Sequence, residues 1–110
     1  MIDGRIAFLK AELKIAPAQE PAWNKVAQAM QQNAAERRQL FEQARANRAN
    51  VNALQALERR ARVSALRAQQ TDRFLAAFRP LYDSLSAAQK QTADELLAFR
   101  GRHGHFHRRG

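Results

Sequence analysis

Three histidines near the C-terminus carry the side chains best suited to metal chemistry. His103, His105 and His107 alternate with other residues in the last stretch of the chain. Neutral imidazole is a ligand for Zn²⁺, Cu²⁺ and Ni²⁺, although the arginines on either side oppose a dication. The sequence therefore indicates a candidate site for weak binding of these metals, and no other cofactor is expected.

No arrangement of residues typical of an enzyme accompanies the histidines. The 110-residue chain has no cysteine, which excludes disulfides, thiolate zinc sites and cysteine nucleophiles. It has neither a glycine-rich phosphate-binding loop nor a nucleophile placed beside a base. The protein is therefore predicted not to be an enzyme.

Arginine carries a second kind of chemistry. The formal net charge is +9, and 15 arginines stand against 4 lysines. On a helical projection, Arg37 and Arg48 fall in the same stripe as Met30 and Phe41, so this face is both apolar and cationic. Guanidinium is weakly hydrated and its stem packs along apolar surface, which suits it to varied partners. The candidate residues for binding a client protein are Met30, Arg37, Arg38, Phe41, Arg45, Arg48, Arg59 and Arg62. The alternatives are that the arginines form an ordinary solvated face and that Met30 and Phe41 belong to the core of the hairpin or of the dimer.

The composition predicts that long helices position these residues. Alanine supplies 23 residues, whereas valine, isoleucine and threonine together supply 8, so the residue types that favour β-sheet are scarce. No glycine occurs between Gly4 and Gly101, which leaves few places for tight turns. The predicted fold class is therefore all-α.

Periodicity and helix-breaking residues divide the chain into segments. Apolar residues at helical spacing, from Ile2 to Leu13, predict a short first helix of about three turns with Asp3 as its candidate cap. Pro17 and Pro21 mark the start of the second. A cluster of asparagines predicts a bend at 47–52, and Pro80 is expected to kink or end the third helix. The predicted buried line of that helix consists of Leu54, Leu57, Ala61, Ala65, Ala68, Leu75, Phe78 and Tyr82.

The helix lengths predict the architecture. Helices of about 25 to 30 residues are about 40 Å long, too long for this chain to form a compact bundle. We therefore expect a long antiparallel helical hairpin with short flanking helices, the last of them beginning near Leu85. Such a hairpin leaves apolar surface uncovered, so a homodimer is expected. Residues 1–100 form the predicted helical domain, and residues 101–110 are expected to be a disordered tail rich in histidine and arginine.

Two segments share a pattern of an apolar residue, a small residue, two variable residues and glutamine. In the second copy, Leu85-Ser86-Ala87-Ala88-Gln89, the serine and glutamine can form a capping box at a helix start. In the first copy, Ile15-Ala16-Pro17-Ala18-Gln19, the small residue has no hydroxyl, so half of the box is lost. The predicted capping residues are Ile15, Pro17, Gln19, Leu85, Ser86 and Gln89. Either copy alone is compatible with a purely structural role.

The pair of motifs resembles that of the LTXXQ-motif family, which includes the Spy and CpxP periplasmic proteins and zinc-resistance-associated relatives. The first copy, followed by Glu20 and Trp23, is similar to the family's Leu-Thr-Pro-x-Gln opening, and the second follows after a basic helical span. The resemblance covers the chain to about residue 100. It implies an all-helical, cradle-shaped antiparallel dimer in the bacterial periplasm, with its signal peptide removed, that acts as an ATP-independent chaperone or a stress-response regulator.

Three functions remain open on these grounds. The first is a periplasmic chaperone that binds unfolded or partly folded proteins on a basic, amphiphilic concave surface and suppresses their aggregation. The second is a periplasmic stress or metal-responsive regulator that docks on a sensor domain or binds metal through its histidine tail. The third is nucleic-acid binding, which the pI of about 11.4 permits but no reading motif supports. Membrane insertion is not expected, because the apolar runs are only a few residues long.

Overall fold

The chain is all-helical, as its composition predicts. A computed structural model describes residues 2–48 and 51–98. Over that part of the chain 92% of residues are helical and no strand occurs. The elements are α1 (Ile2–Leu13), a 3-10 turn (Pro17–Gln19), α2 (Glu20–Ala46), α3 (Ala53–Ser84) and α4 (Ala87–Ala93), which continues as a π-helical turn (Asp94–Ala98). The predicted tail at 101–110 and its three histidines lie outside the described residues.

The predicted bend between the two long helices is confirmed at both of its ends. Helix α2 ends at Ala46, and α3 begins after Asn52 with a capping box that was not predicted. The Gln55 backbone N–H donates to the Asn52 side chain at 2.8 Å, and the Asn52 N–H donates to the Gln55 side chain at 3.1 Å. Asparagine therefore both disfavours helix within the bend and starts the helix that follows it.

Of the two outcomes expected at Pro80, a kink or the end of the third helix, the end is not observed, because α3 continues to Ser84. A proline inside a helix removes one backbone donor, but tertiary packing can hold the following turn in place. Leu81 is fully buried in the core, and the Ser84 hydroxyl donates to its carbonyl at 2.7 Å. Burial of this last turn thus outweighs the local cost of the proline.

The hydrophobic core lies at one end of the molecule. It is built from α1, the N-terminal half of α2, the C-terminal end of α3 and α4. Its buried members are Leu9, Leu13, Trp23, Val26, Met30, Leu81, Leu85 and Ala93. The short helices therefore do not merely flank the hairpin, because they close its open end.

The other end of the molecule is a two-helix extension without a core. Residues 34–48 and 51–69, which we call the arm, contain no buried residue. The radius of gyration is 17.1 Å, whereas a compact chain of this length has about 13 Å. The long hairpin expected from the sequence is therefore present, with a packed base and a thin arm.

The predicted buried line of the third helix is mostly wrong. Leu54, Leu57 and Leu75 are 66%, 57% and 43% exposed, and the three alanines between them are also exposed. Helix α3 instead turns its other face toward α2, and Gln70 is the buried residue at the crossing. Only the end of the predicted line is right, because Phe78 and Tyr82 pack partly buried against the core.

Candidate functional site

The two motif glutamines meet although 70 residues separate them. The Gln19 Nε2 donates to Gln89 Oε1 at 3.0 Å, and the Gln89 Nε2 donates to Gln19 Oε1 at 3.0 Å. Each amide thus satisfies both a donor and an acceptor of the other, which the chemistry of the carboxamide allows. The two motifs therefore form one structural unit.

Each motif glutamine also donates to the backbone of the helix that ends just before the other motif. Gln19 Nε2 donates to the Ser84 carbonyl at 2.9 Å, at the end of α3. Gln89 Nε2 donates to the carbonyls of Leu13 and Lys14 at 2.9 and 3.1 Å, at the end of α1. These carbonyls have no partner within their own helices, so the glutamines complete both helix ends.

Each motif also begins the helix that follows it, but the hydrogen bonds that cap the helix start differ between the two copies. The Ser86 Oγ accepts from the Gln89 N–H at 3.1 Å, and the Gln89 Oε1 accepts from the Ser86 N–H at 2.8 Å, so the predicted capping box is present. In the first copy, Gln19 Oε1 accepts from the Ala16 N–H at 2.9 Å, but Ala16 has no side-chain oxygen that could accept from the Gln19 N–H. The Gln19 N–H bonds to the Ala16 carbonyl instead, at 2.8 Å.

The remaining motif residues hold these contacts in place. Leu85 is buried in the core and Ile15 packs partly buried against it, while Pro17 opens the 3-10 turn at the surface. Between α1 and the first motif, Lys14 has a φ of 53°, a left-handed conformation that costs a residue with a side chain about 1 kcal/mol or more. The chain reverses here, so that the Lys14 carbonyl points at Gln89.

A second polar cluster crosses between α2 and α3 where the base meets the arm. The Asn33 side chain donates to the Gln70 carbonyl at 3.1 Å, and the Gln70 side chain donates to the Asn33 carbonyl at 3.0 Å. Both residues are buried, and every buried side-chain polar atom among the described residues has a partner. A satisfied polar pair of this kind fixes the register of one helix against the other.

An ion pair extends this crossing toward the surface. Arg73 donates from one guanidinium nitrogen to Glu36 Oε1 at 2.8 Å and to Asn33 Oδ1 at 2.7 Å, and Gln70 donates to the same carboxylate at 3.2 Å. The hydrogen bond from Arg73, followed by that from Gln70, lowers the pKa of Glu36 below its usual value. The carboxylate therefore stays charged to a lower pH than an ordinary glutamate does.

A third polar contact joins α3 to the turn that follows α4. The Tyr82 hydroxyl donates to Asp94 Oδ1 at 3.0 Å, and this hydrogen bond to a carboxylate raises the pKa of Tyr82. Lys90 lies over the same ring, with its Nζ 5.3 Å from the centroid. These contacts attach the last helical segment to the base.

The arm carries a groove between α2 and α3 with an apolar floor and a cationic rim. Its volume is about 440 Å³. The floor is formed by Leu40, Phe41, Ala44, Val63 and Leu66. The rim is formed by Arg37, Arg38, Arg59 and Arg67. A neighbouring hollow shares Phe41, Ala44 and Arg59 and adds Arg45 and Arg48, and we call the two together the arginine groove.

The charged side chains that line the arginine groove are all positive. Among the described residues, no aspartate or glutamate lines it, and none of its arginines forms an ion pair there. Arg45 lies over the Phe41 ring at 5.9 Å, while that ring is itself 61% exposed. The groove can therefore bind a segment that offers carboxylates beside apolar side chains.

Most of the predicted client-binding residues come together at this groove. Arg37, Arg38, Phe41, Arg45, Arg48 and Arg59 all line it. Arg62 lies at a different hollow, which also borders Arg59. The prediction that Met30 binds a client is wrong. Met30 is only 8% exposed and belongs to the core, so it has no surface to offer a client.

Of the floor, the sequence predicted only Phe41 as a binding residue, and it did not predict Arg67 of the rim. Val63 and Leu66 face α2 together with Gln70, and Arg67 lies beside them. Their spacing of three and four residues was a signal for this face, but the leucine and alanine stripe on the opposite face of α3 has the same period. Only the position of α2 decides between the two.

Within residues 2–48 and 51–98, no group of three or more metal-binding side chains is assembled. The predicted metal ligands His103, His105 and His107 lie outside that part of the chain. No helix in the described part has the length and apolar character needed to cross a membrane.

Comparisons with known proteins identify one family. A sequence model described as LTXXQ motif family protein matches residues 1–97. No curated protein and no protein of solved structure matches the chain.

Proposed function

The chain belongs to the LTXXQ motif family, and from that membership and the arginine groove we propose that it is an ATP-independent periplasmic chaperone. The family is one of non-enzymatic chaperones and regulators and is typically periplasmic. In this proposal the base is a scaffold, and the arm binds unfolded or partly folded proteins and suppresses their aggregation.

The observation that carries the proposal is the arginine groove. Unfolded proteins offer apolar side chains that must be shielded, and the exposed Phe41 and its neighbours provide a matching surface. The unpaired arginines attract carboxylates over a longer range, which raises the rate of encounter. Because the groove is open and its charged lining residues are all arginines, it favours loose binding of many sequences over one specific ligand.

A second exposed surface supports the proposed homodimer. The outer face of α3 carries Leu54, Leu57 and Leu75, all more than two-fifths exposed, with small alanines between them. Small residues allow another helix to approach closely, and a contiguous apolar stripe of this kind is typical of an interface. A second copy of the chain would cover it and leave the arginine groove, on the other face of α3, open to clients.

The alternative proposal is a periplasmic regulator that docks the same groove on an acidic sensor domain. It differs in specificity, since one folded partner would bind and unrelated unfolded proteins would not. A metal-responsive form of this alternative requires the histidine tail, and zinc titration of the full chain against a chain ending at residue 100 tests it. Nucleic-acid binding remains the third proposal, and loss of binding at physiological salt would reduce it to non-specific attraction.

The direct test of chaperone function is suppression of aggregation without nucleotide. A chemically denatured acidic protein is diluted into buffer with or without the chain, and light scattering is followed. The variant Arg38→Gln/Arg45→Gln/Arg59→Gln removes three of the six positive charges that line the groove, and Arg5→Gln/Lys25→Gln/Arg79→Gln removes the same charge elsewhere. We expect the wild type and the control variant to suppress aggregation near stoichiometry and the groove variant to need several-fold more protein. Absence of suppression by the folded wild type would overturn the proposal.

A further inference from the structure

The two helices of the arm are in contact along one thin line. The half-buried residues that α2 and α3 bring together in the arm are Leu40, Ala44, Arg59, Val63 and Leu66. Two hollows border this line: the arginine groove and a second hollow of about 320 Å³. Leu40, Ala44 and Arg59 line both of them. A helix pair flanked by two hollows excludes little water, so its packing contributes little to stability.

Polar contacts do not compensate for this thin packing. Within the described residues of the hairpin, the Asn33 and Gln70 crossing, with Arg73 and Glu36, is the last place where side chains bond from α2 to α3. Beyond it, no hydrogen bond or ion pair joins residues 37–48 to residues 51–69. The crossing is therefore the boundary between a cooperative base and a weakly held arm.

Charge acts to separate the two helices of the arm. The arm holds eight arginines and three glutamates, an excess of five positive charges. One of those glutamates, Glu36, is already bound to Arg73 at the crossing. Like charges on two adjacent helices repel, and the repulsion is relieved when carboxylates of another molecule enter between them.

We propose that the arm opens at the Asn33–Gln70 crossing and that an acidic, apolar segment of the client binds between its two helices. Opening exposes Leu40, Val63 and Leu66 to the client, while the surrounding arginines bind its carboxylates. This inference rests on the proposed chaperone function and adds where and in what form the client is held. It requires segments in which aspartate or glutamate alternates with large apolar residues.

The register of the hairpin and the lack of cysteine provide a test. Counting seven residues from Asn33 along α2 and seven back from Gln70 along α3 places Leu40 level with Val63. The variant Leu40→Cys/Val63→Cys can close the arm by a disulfide when oxidised and release it when reduced, without competing thiols. The reduced form is the matched control for the two substitutions.

The readouts are aggregation suppression and binding of a labelled peptide that alternates glutamate with leucine and phenylalanine. We expect the oxidised form to bind about tenfold more weakly than the reduced form, because the client no longer enters between the helices. A peptide with glutamine in place of glutamate is expected to bind weakly to both. Equal binding and equal suppression by the oxidised and reduced forms would overturn the inference while leaving the chaperone function standing. Failure of both forms and of the wild type to suppress aggregation would overturn the chaperone function itself.

Amide hydrogen exchange on the wild type tests the opening without any substitution. Exchange in the arm is expected to be about a hundredfold faster than in the base, to slow with added salt, and to slow further with the acidic peptide. Exchange in the arm as slow as that of α2 residues in the base would contradict opening at the crossing.

Discussion

The side-chain amides of Gln19 and Gln89 face each other and exchange hydrogen bonds in both directions at 3.0 Å. Through them, the start of α2 is joined to the end of α3 and the start of α4 to the end of α1. The family's repeated glutamine thus has a physical explanation in this chain, because each copy completes helix ends that the other copy's segment leaves open. The motif holds the base together, and the arginine groove lies on the arm.

Removal of either motif glutamine is expected to destabilise the base. Gln19→Ala and Gln89→Ala each leave carbonyls at helix ends without a donor, at a cost of about 1–2 kcal/mol. The double variant is expected to cost less than the sum of the two, because each single change already breaks the shared pair. Urea unfolding of all three measures this coupling. Gln31→Ala, at an exposed position in α2, is the control. If Gln31→Ala lowers the free energy of unfolding as much as Gln19→Ala does, the role of the glutamine pair is contradicted.

The left-handed residue at the end of α1 offers a stabilising change. Lys14→Gly is expected to raise the free energy of unfolding by up to about 1 kcal/mol, because glycine adopts this φ without a side-chain clash. Lys25→Gly, in the exposed interior of α2, is expected to lower it by a similar amount. Thermal unfolding followed by circular dichroism compares the two. Destabilisation by Lys14→Gly would show that the lysine side chain matters more than the backbone conformation.

Restoration of the missing half of the first capping box is a further stabilising change. Ala16 has the extended conformation of a helix cap, with φ −79° and ψ 159°. Ala16→Ser supplies a hydroxyl that can accept from the Gln19 N–H, and it is expected to stabilise the protein by about 0.5–1 kcal/mol. Ala35→Ser, exposed within α2, is expected to cost a few tenths of a kcal/mol. Thermal unfolding followed by circular dichroism compares the two variants. Equal changes in the free energy of unfolding would show that the hydroxyl at position 16 does not cap the helix.

The stability of the protein is expected to fall in acid through Glu36. Because the pKa of Glu36 is lowered in the folded state, its contribution is fully present above the unfolded value of about 4.5 and is lost as the pH falls through the lowered pKa. Glu36→Gln is expected to remove this part of the pH dependence, whereas Glu42→Gln, outside the crossing, is expected to leave it unchanged. Urea midpoints between pH 2 and pH 6 provide the measurement. An unaltered acid profile in Glu36→Gln would contradict the role of the ion pair with Arg73.

The sequence was sufficient to predict the number of helices and most of their limits, because these depend on local chemistry. The first helix and the bend after Ala46 follow from periodicity and from asparagine, and the box at Ser86 forms as predicted. The start of α1 at Ile2 and the continuation of α3 past Pro80 do not follow from local signals. The reciprocal pairing of Gln19 with Gln89 could not be derived in this way, since it depends on how helices far apart in the chain come together.

The buried face of α3 was the principal failure, and its cause is physical. The helix has two apolar stripes with the same period, one through Leu54 and Leu57 and one through Val63 and Leu66. The stronger stripe was expected to be buried, but the buried pair of Asn33 and Gln70 turns the weaker one toward α2. The covered face of α3 is thus the one that carries a polar contact with another helix, and the period of α3 alone does not reveal it. Met30 on α2, which the sequence left open as a client contact or a core residue, lies in the core.

Site-specific photo-cross-linking tests most directly whether clients bind on the arm. The chain offers a matched pair of exposed phenylalanines, Phe41 in the arm, 61% exposed, and Phe8 in α1 of the base, 49% exposed. Each is replaced in turn by the photoreactive analogue benzoylphenylalanine, and cross-linking to an unfolded acidic client is quantified on illumination. We predict at least about tenfold more client cross-linked at position 41 than at position 8, since the surrounding arginines concentrate the client there. Equal cross-linking at the two positions, or more at position 8, would contradict the account.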